Sequence, residues 1–185
     1  MTITEILSTA GTQLTDCVVR IPAEQIDALT DTICQANRVF VYGAGRSMLM
    51  LRCLAMRLMH LGFTSYVVGD TTTPAFGEGD LLIVASGSGT TSGVVRVAEK
   101  AKSLGGSLAV LTISKESTLG KMADVLVEIP GYTDKVKVDR EMPVLPGGSI
   151  FEQSVLLVGD AMVLPLSQKH HIPTDRAFSL HANLE

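Results

Sequence analysis

Val39-Phe40-Val41-Tyr42-Gly43-Ala44-Gly45-Arg46-Ser47 and Leu81-Leu82-Ile83-Val84-Ala85-Ser86-Gly87-Ser88-Gly89-Thr90-Thr91 decide the fold. Each is an apolar run, then a loop of small and hydroxylated residues, then a helical pattern. An uninterrupted apolar strand fits a parallel sheet covered on both faces. A Gly/Ser-rich loop that opens a helix offers unpaired backbone N–H groups and the positive dipole end to an anion, usually a phosphate. One such loop is a weak signal. Two in one small chain can converge on one phosphate.

Working outward, strands are predicted over 38–42, 64–68, 81–85, 107–112 and 125–129. Helices are predicted over 2–19, from Pro22 onward in the first turn of a second helix, and over 47–61, 92–104, 119–123 and 149–168. Strands alternating with helices give an α/β fold with right-handed crossovers: a three-layer αβα sandwich around a five-stranded parallel, flavodoxin-like sheet. Residues 1–185 read as one domain, with N-terminal helices in 2–36 and a C-terminal helix plus tail in 149–185. If the strands at 38–42 and 81–85 are neighbours, the loops 43–47 and 86–91 flank the switch point where open sheets bind ligands. The segment 130–148, with three prolines, reads as a long surface loop.

The helix over 47–61 is apolar nearly all round, with Met48, Leu49, Met50, Leu51, Leu54, Met56, Leu58 and Met59. Such a helix is buried on most sides, here as a central element between subunits. The composition agrees: 46% of residues are hydrophobic and only 18% charged. No window reaches 18 uncharged apolar residues, so no membrane-spanning helix is expected. The net charge of −4 and the absence of a basic stripe argue against nucleic-acid binding. Cys17, Cys34 and Cys53 are isolated and make no metal or disulfide pattern, and no signal peptide is recognised; the cytoplasm is the expected compartment.

Several residues have plain structural explanations that compete with a chemical role. Ser47 and Thr91 could simply cap helices, but capping needs one hydroxyl per helix and 86–91 supplies four in six residues. The loops differ from a P-loop, which ends Gly-Lys-Ser/Thr, and Met48 stands where a dinucleotide fingerprint has its third glycine. Ser149-Ile150-Phe151-Glu152 has the pattern of a capping box, which would use the Glu152 carboxylate on a backbone N–H. The competing reading makes Glu152 a proton-transferring base. His60 lies about 20 Å from Ser47 along one helix, so it could serve only a neighbouring subunit's site. His170-His171 are adjacent and form no helical metal pair, and no Ser-His-Asp triad can be argued.

Gly43-Ala44-Gly45-Arg46-Ser47, Ser86-Gly87-Ser88-Gly89-x-Thr91, Gly148-Ser149-x-Phe151-Glu152-Gln153 and the terminal His181-Ala182-Asn183-Leu184-Glu185 resemble the sugar isomerase (SIS) domain. Within that superfamily they are similar to the 6-phospho-3-hexuloisomerase family, over essentially the whole chain. The resemblance implies a cofactor-free, metal-free homotetramer with sites at subunit interfaces. It implies conversion of D-arabino-hex-3-ulose 6-phosphate to fructose 6-phosphate through an enediol, in the ribulose monophosphate route. Ser47, Ser86, Gly87, Ser88 and Thr91 would then hold the phosphate and Gly45 would contact the substrate; Arg46 is either an ion-pair former or a further substrate contact, the latter being the reading taken. Glu152 would be the base, with His60 and His181 as acids or ring-openers. Thr90, Met48 and Leu180 depart from the family pattern. An isomerase for another sugar phosphate and a non-catalytic phosphosugar-binding module are the alternative readings.

Overall fold

The computed structural model describes residues 1–134, 142–171, 179–181 and 183–184. In chain order the elements are α1 (Ile3–Val18), α2 (Ala23–Gln35), β1 (Val39–Gly43), α3 (Arg46–His60), β2 (Ser65–Val67) and β3 (Leu81–Ala85). They continue with α4 (Ser92–Ser103), β4 (Ser107–Thr112), α5 (Thr118–Met122), β5 (Val125–Glu128), α6 (Ser149–Ala161) and α7 (Val163–Lys169). The five strands form one parallel sheet in the order β2-β1-β3-β4-β5. β1 and β3 are therefore neighbours, in register from Val39 opposite Leu81 to Gly43 opposite Ala85.

The period of two in the strands separates two apolar cores across the sheet. Val39, Val41, Leu81, Ile83, Ala109 and Leu111 point to one face, where Leu29 and Ile33 of α2, Leu51, Leu54 and Leu58 of α3, and Val155 and Val158 of α6 cover them. Phe40, Leu82, Val84, Leu108 and Val110 point to the other, covered by Val94, Ala98 and Ala101 of α4 and Leu119. The two faces are unequally clad. Five helices lie on the first and two, α4 and the single-turn α5, on the second. The reason is the β2–β3 connection, which holds no helix among residues 68–80. Asp80, 2% exposed, fixes that loop: it accepts from Arg38 Nε (2.9 Å), Arg38 Nη2 (2.6 Å) and the Gly77 backbone N–H (2.9 Å). Burial pushes the Asp80 carboxyl up, but the hydrogen bonds and charge of Arg38 outweigh it and hold it below its usual range.

Three local details differ from the sequence reading. Pro22 is the N-cap of α2 and precedes its first turn. The C-terminal helix expected over 149–168 is two helices meeting at Met162, which closes α6 and opens α7. Pro165 lies within the first turn of α7, where a missing N–H is tolerated. A real capping box does exist, but on α1: Glu5 N–H donates to Thr2 Oγ1 (3.3 Å) and Thr2 N–H to Glu5 Oε2 (2.7 Å). The stretch Ser149–Lys169 is, by length and composition, long and apolar enough to cross a membrane, which the sequence reading did not anticipate. Half of its apolar window is buried, and α6 packs on α3 and α1 as a core helix does.

In the single chain α3 is covered on one side. Leu51, Leu54, Ala55, Leu58 and His60 are buried, but Leu49, Met56 and Met59 are exposed at 54%, 47% and 40%. Leu157 and Leu164 are exposed as well.

Candidate active site

β1 and β3 end side by side, so the loops that follow them open on one crevice. A cavity of about 350 Å³ lies there. Ser47 borders it from the start of α3, Ser86, Gly87 and Ser88 from the loop after β3, and Thr91 from the start of α4. Glu152 closes it from the first turn of α6.

Gly45 is the N-cap of α3 and adopts φ 57° and ψ −136°, a conformation open essentially to glycine. That turn sets the start of α3 at the cavity, which Gly45 and Ser47 border. Gly87 is required for space. A Cβ built there would lie 2.5 Å from Thr133 Cγ2, so any side chain would push the Thr133 methyl aside.

The hydroxyls are not used as caps. α3 has no side-chain cap at all, and Ser47 lies inside its first turn. Thr91 is the N-cap of α4, yet its side chain accepts no capping hydrogen bond; its Oγ1 lies 3.2 Å from Ser86 Oγ. Ser88 Oγ accepts weakly from Thr90, from the N–H at 3.4 Å and the hydroxyl at 3.3 Å. The capping explanation of Ser47 and Thr91 therefore fails, leaving a cluster of small hydroxyls facing one cavity.

The capping-box explanation of Glu152 fails too. Gly148 is the N-cap of α6, and Ser149 Oγ donates to Pro146 O (2.7 Å) outside the helix. Glu152 is one residue too far along for a box, and its N–H donates to Gly148 O (2.9 Å). Its carboxylate, 14% exposed, instead accepts a hydrogen bond from Arg46 Nε in an ion pair between α6 and α3. Arg46 is 59% exposed, so the pair contributes little to stability in solvent. What it does is set the orientation of the carboxylate.

His60 and His181 do not border this cavity. His60 is the last residue of α3, buried, and its ring stacks on that of His181 with centroids 4.0 Å apart. Burial, then the neighbouring His181 and Arg57, hold the His60 imidazole below its usual range. The structure thus joins the two histidines to each other and separates both from Glu152. Ala182 and Glu185 lie outside the described residues.

Two cavity residues escaped the sequence reading. Thr133 and Asp134 follow β5 and border the cavity beside Gly148. Their position after the carboxyl end of a parallel strand was a usable signal. It was lost because 130–148 read only as surface loop. No cluster of side chains suited to a metal ion occurs among the described residues.

Residues 32–136, from α2 through the Thr133–Asp134 side of the cavity, match the SIS domain family. The chain belongs to the SIS domain family. Among SIS relatives, a Bacillus subtilis (strain 168) protein named 3-hexulose-6-phosphate isomerase is 42% identical over 185 residues, covering all of both chains. A Mycobacterium gastri protein of the same name is 45% identical over 99% of this chain and 92% of its own. A Methanococcus jannaschii crystal structure, from which a function of 3-hexulose-6-phosphate isomerase was inferred, superposes at TM-score 0.82. It is 31% identical and covers 98% of this chain and 99% of that one. The α/β sheet described above is the SIS fold.

Proposed function

We propose that this SIS protein interconverts D-arabino-hex-3-ulose 6-phosphate and fructose 6-phosphate without a cofactor. The observation that carries the reading is the Glu152 carboxylate facing a cradle of small hydroxyls in one cavity. The full-length relatives named for this reaction support it.

The phosphate is held by Ser47, Ser86, Ser88 and Thr91, by the backbone at Gly87 and by the N-terminus of α3. The sugar chain then extends towards Gly45, Arg46 and Glu152. Glu152 removes the proton from C2 of the 3-ketose, and the electron pair forms the C2=C3 bond of an enediol as O3 takes a proton. Loss of the O2 proton and return of a proton to C3 then give the 2-ketose. One carboxylate serves both transfers, because donor and acceptor carbons are adjacent. Arg46, hydrogen-bonded to Glu152, contacts in this reading the oxygens on which charge develops.

His60 and His181 supply acid or ring-opening chemistry to a neighbouring subunit's cavity, in a cytoplasmic homotetramer with sites at its interfaces. The exposed side chains Leu49, Met56 and Met59 on the same helix support such packing.

A coupled assay tests the reading. The hexulose phosphate is made in situ from ribulose 5-phosphate and formaldehyde, and fructose 6-phosphate is followed. Rapid formation that depends on this protein supports it. No formation, while fructose 6-phosphate still raises the melting temperature, would keep the phosphate site and overturn the substrate.

A further inference from the structure

The thinly clad face of the sheet carries a second cavity, of about 390 Å³, on the side of the molecule away from α3 and α6. It exists because the β2–β3 connection has no helix to lie beside α4. Its floor is the sheet, through Tyr42, Val68 and Leu82, and one wall is Phe76 from the loop that Asp80 ties down. The other wall is α4, through Val97, Arg96 and Lys100. The loop is held at Ala75 and Phe76. Phe76 packs edge-on against Phe40, with ring centroids 5.1 Å apart, and Arg38 Nη2 donates to Ala75 O (2.9 Å). The groove is a fixed feature of the fold.

Its charge is one-sided. Arg96 and Lys100 are four residues apart on one helix, an arrangement mildly unfavourable for like charges. Neither forms an ion pair among the described residues, and no carboxylate borders the groove. Among the described residues Arg38, Arg46, Arg52, Arg57, Lys102, Lys121 and Lys169 meet carboxylates, whereas Arg20 and Lys115, like Arg96 and Lys100, form no ion pair. An apolar slot of this volume with convergent cations at its edge has the form of a small-molecule site. An exposed aromatic and aliphatic surface inside a slot also gains by being covered.

We propose that this groove binds an amphipathic anion: a flat apolar body seated between Phe76 and Val97, its carboxylate, sulfonate or phosphate held by Arg96 and Lys100. The site is distinct from the sugar-phosphate cavity, which is polar and opens at the carboxyl ends of β1 and β3. Its occupant would nonetheless touch the residue that leads into the loop 43–47, Tyr42, and the first turn of α4 through Gly93.

The test uses the intact oligomer and two dyes of similar shape, anionic anilinonaphthalene sulfonate and uncharged phenylnaphthylamine, read by fluorescence titration. The expected result is saturable binding of both, near one per subunit, undisturbed by saturating fructose 6-phosphate. Val97→Trp, which fills the slot, should abolish it. Arg96→Glu with Lys100→Glu, both on the exposed face of α4, should weaken the anionic dye by about tenfold or more and leave the uncharged one unchanged. Binding that survives both variants, or that fructose 6-phosphate displaces, would overturn the assignment. So would dye binding that appears only when the oligomer is dissociated, which would give the groove to a second copy of the chain.

Discussion

The ring of His181 lies on that of His60, planes 26° from parallel, at the end of α3 opposite the end that borders the cavity with Ser47. If each cavity borrows this pair from a neighbour, activity should be divisible between chains. Glu152→Gln and His60→Ala oligomers should each be inactive. Dissociating and reassociating an equal mixture should restore about a quarter of the sites, as random pairing across a symmetric interface requires. No recovery in verified hybrids would place both functions in one subunit.

Glu152→Gln is nearly isosteric and keeps the cavity shape. Sugar-phosphate affinity, read by calorimetry, should stay within about threefold, because the phosphate contacts lie elsewhere. Turnover should fall by about a thousandfold, the usual cost of losing a general base. Retained turnover would leave Glu152 as only a partner of Arg46.

Gly87→Ala tests the closeness of the loop after β3 to Thr133. The added methyl, starting 2.5 Å from Thr133 Cγ2, should displace that residue and crowd the cavity. The expected result is a stability loss of about 1–3 kcal/mol and weaker fructose 6-phosphate binding. Denaturant melts and calorimetry separate the two. Gly87→Ala with Thr133→Ser should recover part of each, since the methyl in the way is gone.

The exposed row on α3 predicts an assembly defect. Met56→Glu introduces a charge at a position that is 47% exposed in the single chain, so the chain itself should remain folded. Light scattering should show smaller species, and activity should fall with the loss of assembly. A fully assembled, active variant would show that this face is not the interface.

Acid stability should carry the mark of His60. Its folded pKa lies below the usual 6.5. Between that depressed value and about 6.5 the unfolded chain holds more protons than the folded one, so stability rises with pH through this window. It is lost as pH falls through it. Melting temperature should therefore drop as pH falls below about 6.5 towards the depressed folded value, and His60→Gln should flatten the drop. Asp80 acts lower: its folded pKa is depressed below 3.8, so the stability it confers is present above that value and lost as pH falls through the folded pKa.

The order of elements was legible because alternating apolar strands and amphipathic helices differ in period, and β3 and β4 were placed to the residue. The neighbourhood of β1 and β3 was only conditional in the sequence, since strand order is set by crossovers and not by any one residue. Ser47, Ser86, Ser88 and Thr91 could be found because hydroxyls cluster at helix starts. Their freedom from capping could not, since it depends on Gly45 and Thr91 serving as caps through backbone alone. The Ser149–Glu152 spacing suggested a capping box, but the turn at Pro146 took the Ser149 hydroxyl and shifted the helix start by one residue. The Arg46–Glu152 pair and the His60–His181 stack join residues more than a hundred positions apart, and no local pattern encodes either.

α3 begins at the cavity and ends at the histidine pair, a span of 15 residues. Its length is therefore a gauge as well as a scaffold. Each inserted or deleted residue would move His60 by about 1.5 Å and turn it by about 100° about the helix axis. A single-residue change would swing the imidazole off its partner ring, and the apolar faces of the helix would turn with it. This helix is locked to a whole number of residues.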